Sequence, residues 1–164
     1  MKTTALDRSS GAMLALDLGQ KTGWAVRCRD GSICSGTERL KPNARQSAGD
    51  VLHWFRYWLQ GLHKTFDQFD VVLFESVAAH KGAAAAHWFG AFWGVLNLWC
   101  YERGLIPEGV SVTQIKKDAT GRGNASKEEV VDAMRSLGFD PGDDNEADAL
   151  ALLNWGLKSK GGLR

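Results

Sequence analysis

Three carboxylates are set apart by their surroundings. Asp17 interrupts the apolar run 14–18, Leu-Ala-Leu-Asp-Leu, just before Gly19. Glu75 closes a second run, Val71-Val72-Leu73-Phe74. Asp148 follows Asp143, Asp144, Asn145 and Glu146 at the acidic start of a helix. An unpaired charge is expensive to bury in a strand, so Asp17 either meets a cation or sits at an exposed strand end. Carboxylates from separate elements suit Mg²⁺, a hard ion that takes oxygen ligands and keeps several waters. Two such ions about 3.5–4 Å apart activate a water and neutralise charge at phosphorus, which is what phosphodiester hydrolysis needs.

Helical spacing sorts the acidic cluster. Asp144 and Asp148 share a face at four residues apart, and Asn145 and Asp148 at three. Glu146 points the other way and is set aside as a ligand. Each acid also has a plainer role open to it: helix capping for Asp143 or Asp144, turn stabilisation for Asp17, and a solvated strand end for Glu75.

A second constellation is basic. Lys116, Lys117, Arg122 and Lys127 are interleaved with Gly121 and Gly123. Glycines let a backbone approach a phosphate chain, and lysines contact it without regard to sequence. Lys127 also stands in the first turn of a helix, where backbone N–H groups favour an anion. The competing reading is a solvated charged loop.

The elements that must position these groups follow from the pattern. Residues 12–18 read as a first strand, 19–23 as a tight turn, and 24–28 and 32–37 as two strands joined by the Asp30-Gly31 hairpin signal. Val51, Leu52, Phe55, Trp58, Leu59 and Leu62 form a helical stripe. Residues 71–74 are a continuous apolar run, as in a strand covered on both faces. A long uncharged helix spans about 83–103, and 109–112 is one more strand. Residues 121–124 are a flexible basic loop. Ser126 and Glu129 open a helix with a capping box, and Gly138 ends it. The last helix runs from about 145 to 158. Residues 1–11 and 159–164 are expected to be mobile tails of a single domain spanning 1–164.

Bulk properties narrow the classes. A chain of 164 residues is about one domain. The net charge of +1 means a nucleic-acid partner would be held by a local patch, not by global charge. Cys28, Cys34 and Cys100 show no paired spacing, which fits a reducing compartment, and the first residues carry no apolar signal segment. Residues 82–101 contain no Asp, Glu, Lys or Arg and carry Gly90-x-x-x-Gly94, features of a membrane helix. His87, Asn97 and three glycines weigh instead for a helix packed on a sheet and against a second subunit. The bulky Trp88, Phe89, Phe92, Trp93 and Trp99 make it the candidate dimer interface.

The block Lys116-Lys117-Asp118-Ala119-Thr120-Gly121-Arg122-Gly123-Asn124-Ala125-Ser126-Lys127 resembles the signature of the RuvC family of Holliday-junction resolvases. The Asp17 strand, the Glu75 strand end and the Asp148 helix occur in that family's order. The resemblance implies an α/β, ribonuclease H-like fold: a mixed five-stranded sheet with helices on both faces. It implies a homodimeric, Mg²⁺-dependent endonuclease, with two ions per site and Mn²⁺ able to substitute. Such an enzyme makes paired nicks in four-way and other branched DNA, leaving 5′-phosphates, in the cytoplasm of a prokaryotic or phage-infected cell. Asp17, Glu75 and Asp148 match its metal carboxylates. Lys116 or Lys117, together with Lys127, match its phosphate-contacting lysines, with Arg122 alongside. Two positions depart from the pattern. Asn145 stands where the family usually has Asp or His, so Asp144 or Asn145 is left as fourth ligand. No aromatic follows Glu75, so His80, beside Lys81, is the nearest residue able to stack on a base. Two other functions remain open: a related nuclease acting on RNA or RNA:DNA, and a junction-binding protein without catalysis. An actin-like kinase, which also opens on Asp-Leu-Gly, needs a second such domain.

Overall fold

The computed structural model describes residues 11–66, 68–79 and 82–160. The elements run β1 (Ala12–Asp17), β2 (Lys21–Arg27), β3 (Ile33–Arg39), α1 (Ala48–Thr65), β4 (Phe69–Ser76), α2 (Ala83–Tyr101), β5 (Glu108–Ser111), α3 (Val112–Thr120), α4 (Lys127–Ser136) and α5 (Asp144–Ser159). The strands form one five-stranded sheet in the order β3-β2-β1-β4-β5. β1, β2 and β3 pair antiparallel, whereas β4 pairs parallel to both β1 and β5.

β1 is central, and its apolar residues split by the two-residue period of a strand. Leu14 and Leu16 join the core beneath α1 and α2, with Phe55, Leu59, Phe92 and Trp99. Met13 and Ala15 join the core beneath α3, α4 and α5, with Leu73, Ile115, Met134 and Leu150. The α1 stripe is buried at Val51, Phe55, Leu59 and Leu62 as its spacing requires. On α2, Phe92 and Trp99 are wholly buried in this chain's own core, so they cannot belong to an outward interface as expected. Trp93 and Tyr101 do face outward, 45% and 81% exposed. No helix among the described residues is long and apolar enough to cross a membrane.

Several expectations need correction. The tight turn is shorter than 19–23: Lys21, Thr22 and Gly23 belong to β2, and the Thr22 hydroxyl closes the turn by donating to the Gly19 carbonyl at 2.7 Å. β3 extends to Arg39 and β4 begins at Phe69. A helix, α3, follows β5 where none was expected. Ser111 caps it by accepting from the Gln114 N–H, and Gly121, at φ 83°, ends it in the left-handed region. Of the expected mobile tails, Gly11, Ser159 and Lys160 are placed: a Cβ on Gly11 would touch Asp70, Ser159 ends α5, and Lys160 pairs with Glu108 at 2.6 Å. The remaining tail residues, and His80 and Lys81, lie outside the described residues.

α5 is buried at Ala147, Ala149, Leu150, Ala151, Leu152, Leu153 and Gly156. It lies on the sheet with α3 and α4 beside it, so little of its surface meets water. Contact is close because two glycines remove side chains. A Cβ on Gly156 would stand 2.4 Å from Leu73 Cδ1 and 2.8 Å from Met13 Sδ, and one on Gly23 would stand 1.9 Å from the Asn145 carbonyl oxygen. Helical Gly61 on α1, by contrast, has nothing within 4 Å of such a Cβ. Gly61→Ala should therefore stabilise the protein by about 0.5–1 kcal/mol through helix propensity. Gly156→Ala should destabilise it by about 1–3 kcal/mol through overpacking. Urea denaturation of the two variants checks the pair, and equal responses would refute the close-packing account.

Candidate active site at the carboxyl end of the sheet

β1 and β4 run in parallel register, with Ala15 opposite Leu73 and Leu16 opposite Phe74. The next step brings Asp17 beside Glu75. By strand alternation both share the face of Met13, Ala15 and Leu73, the face that α5 covers. α5 then supplies Asp148, which neighbours both acids closely enough to repel their charges. The three carboxylates picked out from the sequence thus come from three elements to one end of the sheet.

The first turn of α5 is pinned from below. Asp143 is its N-cap, accepting from the Glu146 N–H at 2.9 Å and from the Thr37 hydroxyl at 2.6 Å. Glu146 points away from Asp148 and accepts from the Ser35 hydroxyl at 2.6 Å and the Gly142 N–H at 2.8 Å. Gly23, which pairs with Asp17 across β1–β2, admits the Asn145 carbonyl against the sheet. These three contacts set how far Asp148 stands from Asp17. Reading Gly23 as a turn residue hid its role. The Ser35, Thr37 alternation on β3 is a sequence signal that could have revealed the anchoring face.

Electrostatics marks the same place. Burial, then the charges of Glu75 and Asp148, hold the Asp17 carboxyl well above the usual carboxylate range. Burial and Asp148 push Glu75 up to about 7, and burial pushes Asp148 up to about 6. Lys116 and Lys127 pull the other way on Glu75 and Asp148. Like charges are thus gathered in a half-buried spot with only partial compensation.

The other expected site residues separate into two groups. Lys127 and Asp144 are ion-paired with each other, and that hydrogen bond raises the lysine and lowers the acid. Lys116 Nζ donates to the Ala125 carbonyl at 2.7 Å, tying α3 to the loop before α4. These groups, with Asn145, border the carboxylates. Lys117 is exposed on α3, and Arg122 is ion-paired with Glu129. The loop holding Arg122 is not loose: a Cβ on Gly123 would stand 2.6 Å from Thr113 Cγ2.

The donor set is all oxygen and its charges lack full neutralisation, which suits a hard divalent cation. Among the described residues no group of three or more His, Cys, Asp or Glu side chains is already placed to hold a metal ion. Mg²⁺ needs only one or two direct carboxylates and reaches others through water. Asp17, Glu75 and Asp148 fit such an ion in number and chemistry. Asp144, held by Lys127, is engaged elsewhere.

No family model and no curated protein matches the sequence. Solved structures do match. A structure described as T. thermophilus RuvC in complex with Holliday junction substrate aligns with a TM-score of 0.77 at 21% identity, over 93% of this chain and 97% of that one. A further Thermus thermophilus RuvC structure aligns with a TM-score of 0.71 at 22% identity, with the same coverage. The chain therefore has the RuvC fold, the ribonuclease H-like arrangement that the resemblance implied.

The raised carboxylates have a stability consequence. An acid whose folded value exceeds its ordinary value binds its proton more tightly in the folded state. Its contribution is then lost as pH climbs from the ordinary value through the folded one. For Glu75 that window runs from 4.5 to about 7. In EDTA at pH 8, Glu75→Gln should stabilise the protein by about 1–3 kcal/mol, raising Tm by roughly 3–8 °C, with the gain vanishing below pH 4.5. Added Mg²⁺ should stabilise the wild type more than the variant. Thermal melts with and without Mg²⁺ check both, and a variant less stable than wild type at pH 8 in EDTA would contradict the electrostatic account.

Proposed function

We propose that this protein is a metal-dependent, structure-selective endonuclease that resolves four-way DNA junctions by paired nicks. The observation that carries the reading is the meeting of Asp17, Glu75 and Asp148 at one sheet end, beside Lys116 and Lys127, in a chain with the fold of a protein solved with a Holliday junction.

In this reading Asp17, Glu75 and Asp148 hold Mg²⁺. The bound ions supply an activated water and charge neutralisation at the scissile phosphate. The chain's own residues do the rest. Apolar neighbours on β1 and β4 keep the carboxylates partly desolvated, which strengthens their grip on a cation. Asp144 holds the Lys127 ammonium at the rim of the site, where it meets a phosphate oxygen. Lys116 fixes the α3–α4 loop so that its backbone borders the same phosphate chain. Hydrolysis leaves a 5′-phosphate and a 3′-hydroxyl.

A four-way junction has approximate two-fold symmetry, so a homodimer with two such sites can place matched nicks. The outward face of α2 suits a second copy. Gly90 and Gly94 have open space around them, and Trp93 and Tyr101 flank them exposed. A second reading, a junction-binding protein that does not cut, draws on the Lys127–Asp144 pair and the neutral Asn145, which leave three carboxylates for the metals.

Two experiments test these statements. With a labelled four-way junction in Mg²⁺, the wild type should cut. Asp17→Asn should bind in EDTA within about fivefold of wild type yet cut at least about 1000-fold more slowly. Binding without cutting by the wild type would favour the second reading, and preferential cutting of RNA:DNA hybrids or Y-shaped DNA would redirect the substrate assignment. Gly94→Trp should sediment as a monomer where the wild type sediments as a dimer; a dimeric variant would remove α2 from the interface.

A further inference from the structure

The cations nearest the carboxylates are engaged by this chain itself: Lys116 by the Ala125 carbonyl and Lys127 by Asp144. A different set is not. Across β2 and β3, Lys21 pairs with Arg39 and Gly23 with Thr37, while Gly23 pairs with Asp17 on β1. Strand alternation therefore puts Lys21 and Arg39 on the same face as Asp17, one step nearer the carboxyl end of β1. The Asp143 carboxyl at the start of α5, lowered against its burial mainly by the Thr37 hydroxyl, also feels the Lys21 charge. Neighbouring strands lie about 4.8 Å apart, so β3 is about 10 Å from Asp17. That is about three base-pair rises of duplex DNA.

The basic surface continues past the sheet. The Leu40 N–H donates to the Gln20 carbonyl at 2.8 Å, holding the exit of β3 against the β1–β2 turn. Arg39, Leu40, Lys41, Gln46, Val51 and Trp54 then line one groove. Lys41 and Arg45 are exposed, and Trp54 is 48% exposed at the groove wall. Among the described residues, no ion pair engages Arg39, Lys41 or Arg45. The acids nearby are occupied. Glu38 accepts from the Trp54 indole at 3.2 Å, Asp50 forms the α1 capping box with Ser47, and Asp143 caps α5. These acids keep their charge, and the attraction for a polyanion comes from Arg39, Lys41 and Arg45, which are exposed and without an ion-pair partner among the described residues.

We propose that Lys21, Arg39, Lys41 and Arg45 form a second phosphate track, which carries a duplex arm of the substrate from the carboxylates along the end of the sheet, past the start of β2 and the end of β3, to the Trp54 groove on the α1 side. The track rests on the reading of this protein as a nuclease acting on branched DNA. It extends that reading to a surface outside the Lys/Gly block. A duplex longer than about three base pairs leaving the site in this direction runs onto these side chains. Their contacts are with the sugar-phosphate backbone, so they carry affinity and arm direction, not sequence preference.

The test is fluorescence anisotropy of a labelled four-way junction in EDTA over a range of salt. The combined variant Arg39→Ala/Lys41→Ala/Arg45→Ala should bind about 10–100-fold more weakly than wild type. Its log K against log salt should be shallower by about 3, the loss of three phosphate contacts. Arg39→Lys/Arg45→Lys should keep wild-type affinity. Lys64→Ala, in the last turn of α1 and away from this edge, should change nothing. Cutting of saturating junction in Mg²⁺ by the combined variant should stay within about twofold of wild type, because no residue of the track holds the reacting phosphate. If wild type cuts junctions and the combined variant keeps both its affinity and its salt slope, the track is wrong and the nuclease reading stands. If wild type neither binds nor cuts, the nuclease reading fails and the track with it.

Discussion

The closeness of α5 to the sheet is the constraint on which the rest of this molecule depends. One carboxylate of the candidate site rides on that helix and two ride on the strands beneath it. The helix can sit so low only because Gly23 and Gly156 offer no side chain at the two points of contact. Ala147, Ala149 and Ala151 continue the same economy of size. Interiors packed near crystal density transmit small displacements, so the gap between Asp17 and Asp148 depends on these small residues as well as on the Thr37–Asp143 and Ser35–Glu146 hydrogen bonds.

The second theme is electrostatic conflict. The fold brings Asp17, Glu75 and Asp148 together in a half-buried place, where all three are held above their usual range. A chain selected for stability alone would dilute or neutralise that charge. Here neutralisation is partial. Lys116 and Lys127 lie in range, but one is tied to a backbone carbonyl and the other to Asp144. The unmet charge is a cost in the free protein and an attraction for a cation, which is the usual trade between stability and activity at working sites.

Much of this was legible in the chain. The carboxylates were found because a charge inside an apolar run is energetically anomalous. Their partnership followed from placing runs on strands and the acidic cluster on one helix face. The capping box at Ser126 and Glu129 and the turning of Glu146 away from Asp148 followed from spacing alone. α3 was not legible, because Val112 to Thr120 mixes β-branched, polar and basic residues and has one buried apolar side chain, Ile115. Gly23 was misread because a glycine near a turn and a glycine under a helix look alike until the helix is placed. The engagement of Arg122 and Asp144 depends on the meeting of different elements. Local pattern gave the ends of β2, β3 and β4 only to within a few residues.

The route from Asp17 to Asp148 has a consequence for how the protein comes into being. The two acids touch the same site yet are separated by most of the chain, and the helix bearing Asp148 follows every strand of the sheet. A polypeptide emerging from its amino end can pair β1, β2 and β3 by local contacts. It cannot assemble the carboxylate cluster until α5 has emerged and docked, and contacts of such long sequence separation form late. A chain without α5 would therefore lack both Asp148 and the side chains that cover Met13, Ala15 and Leu73. The carboxylate cluster is completed by the last element of the described chain.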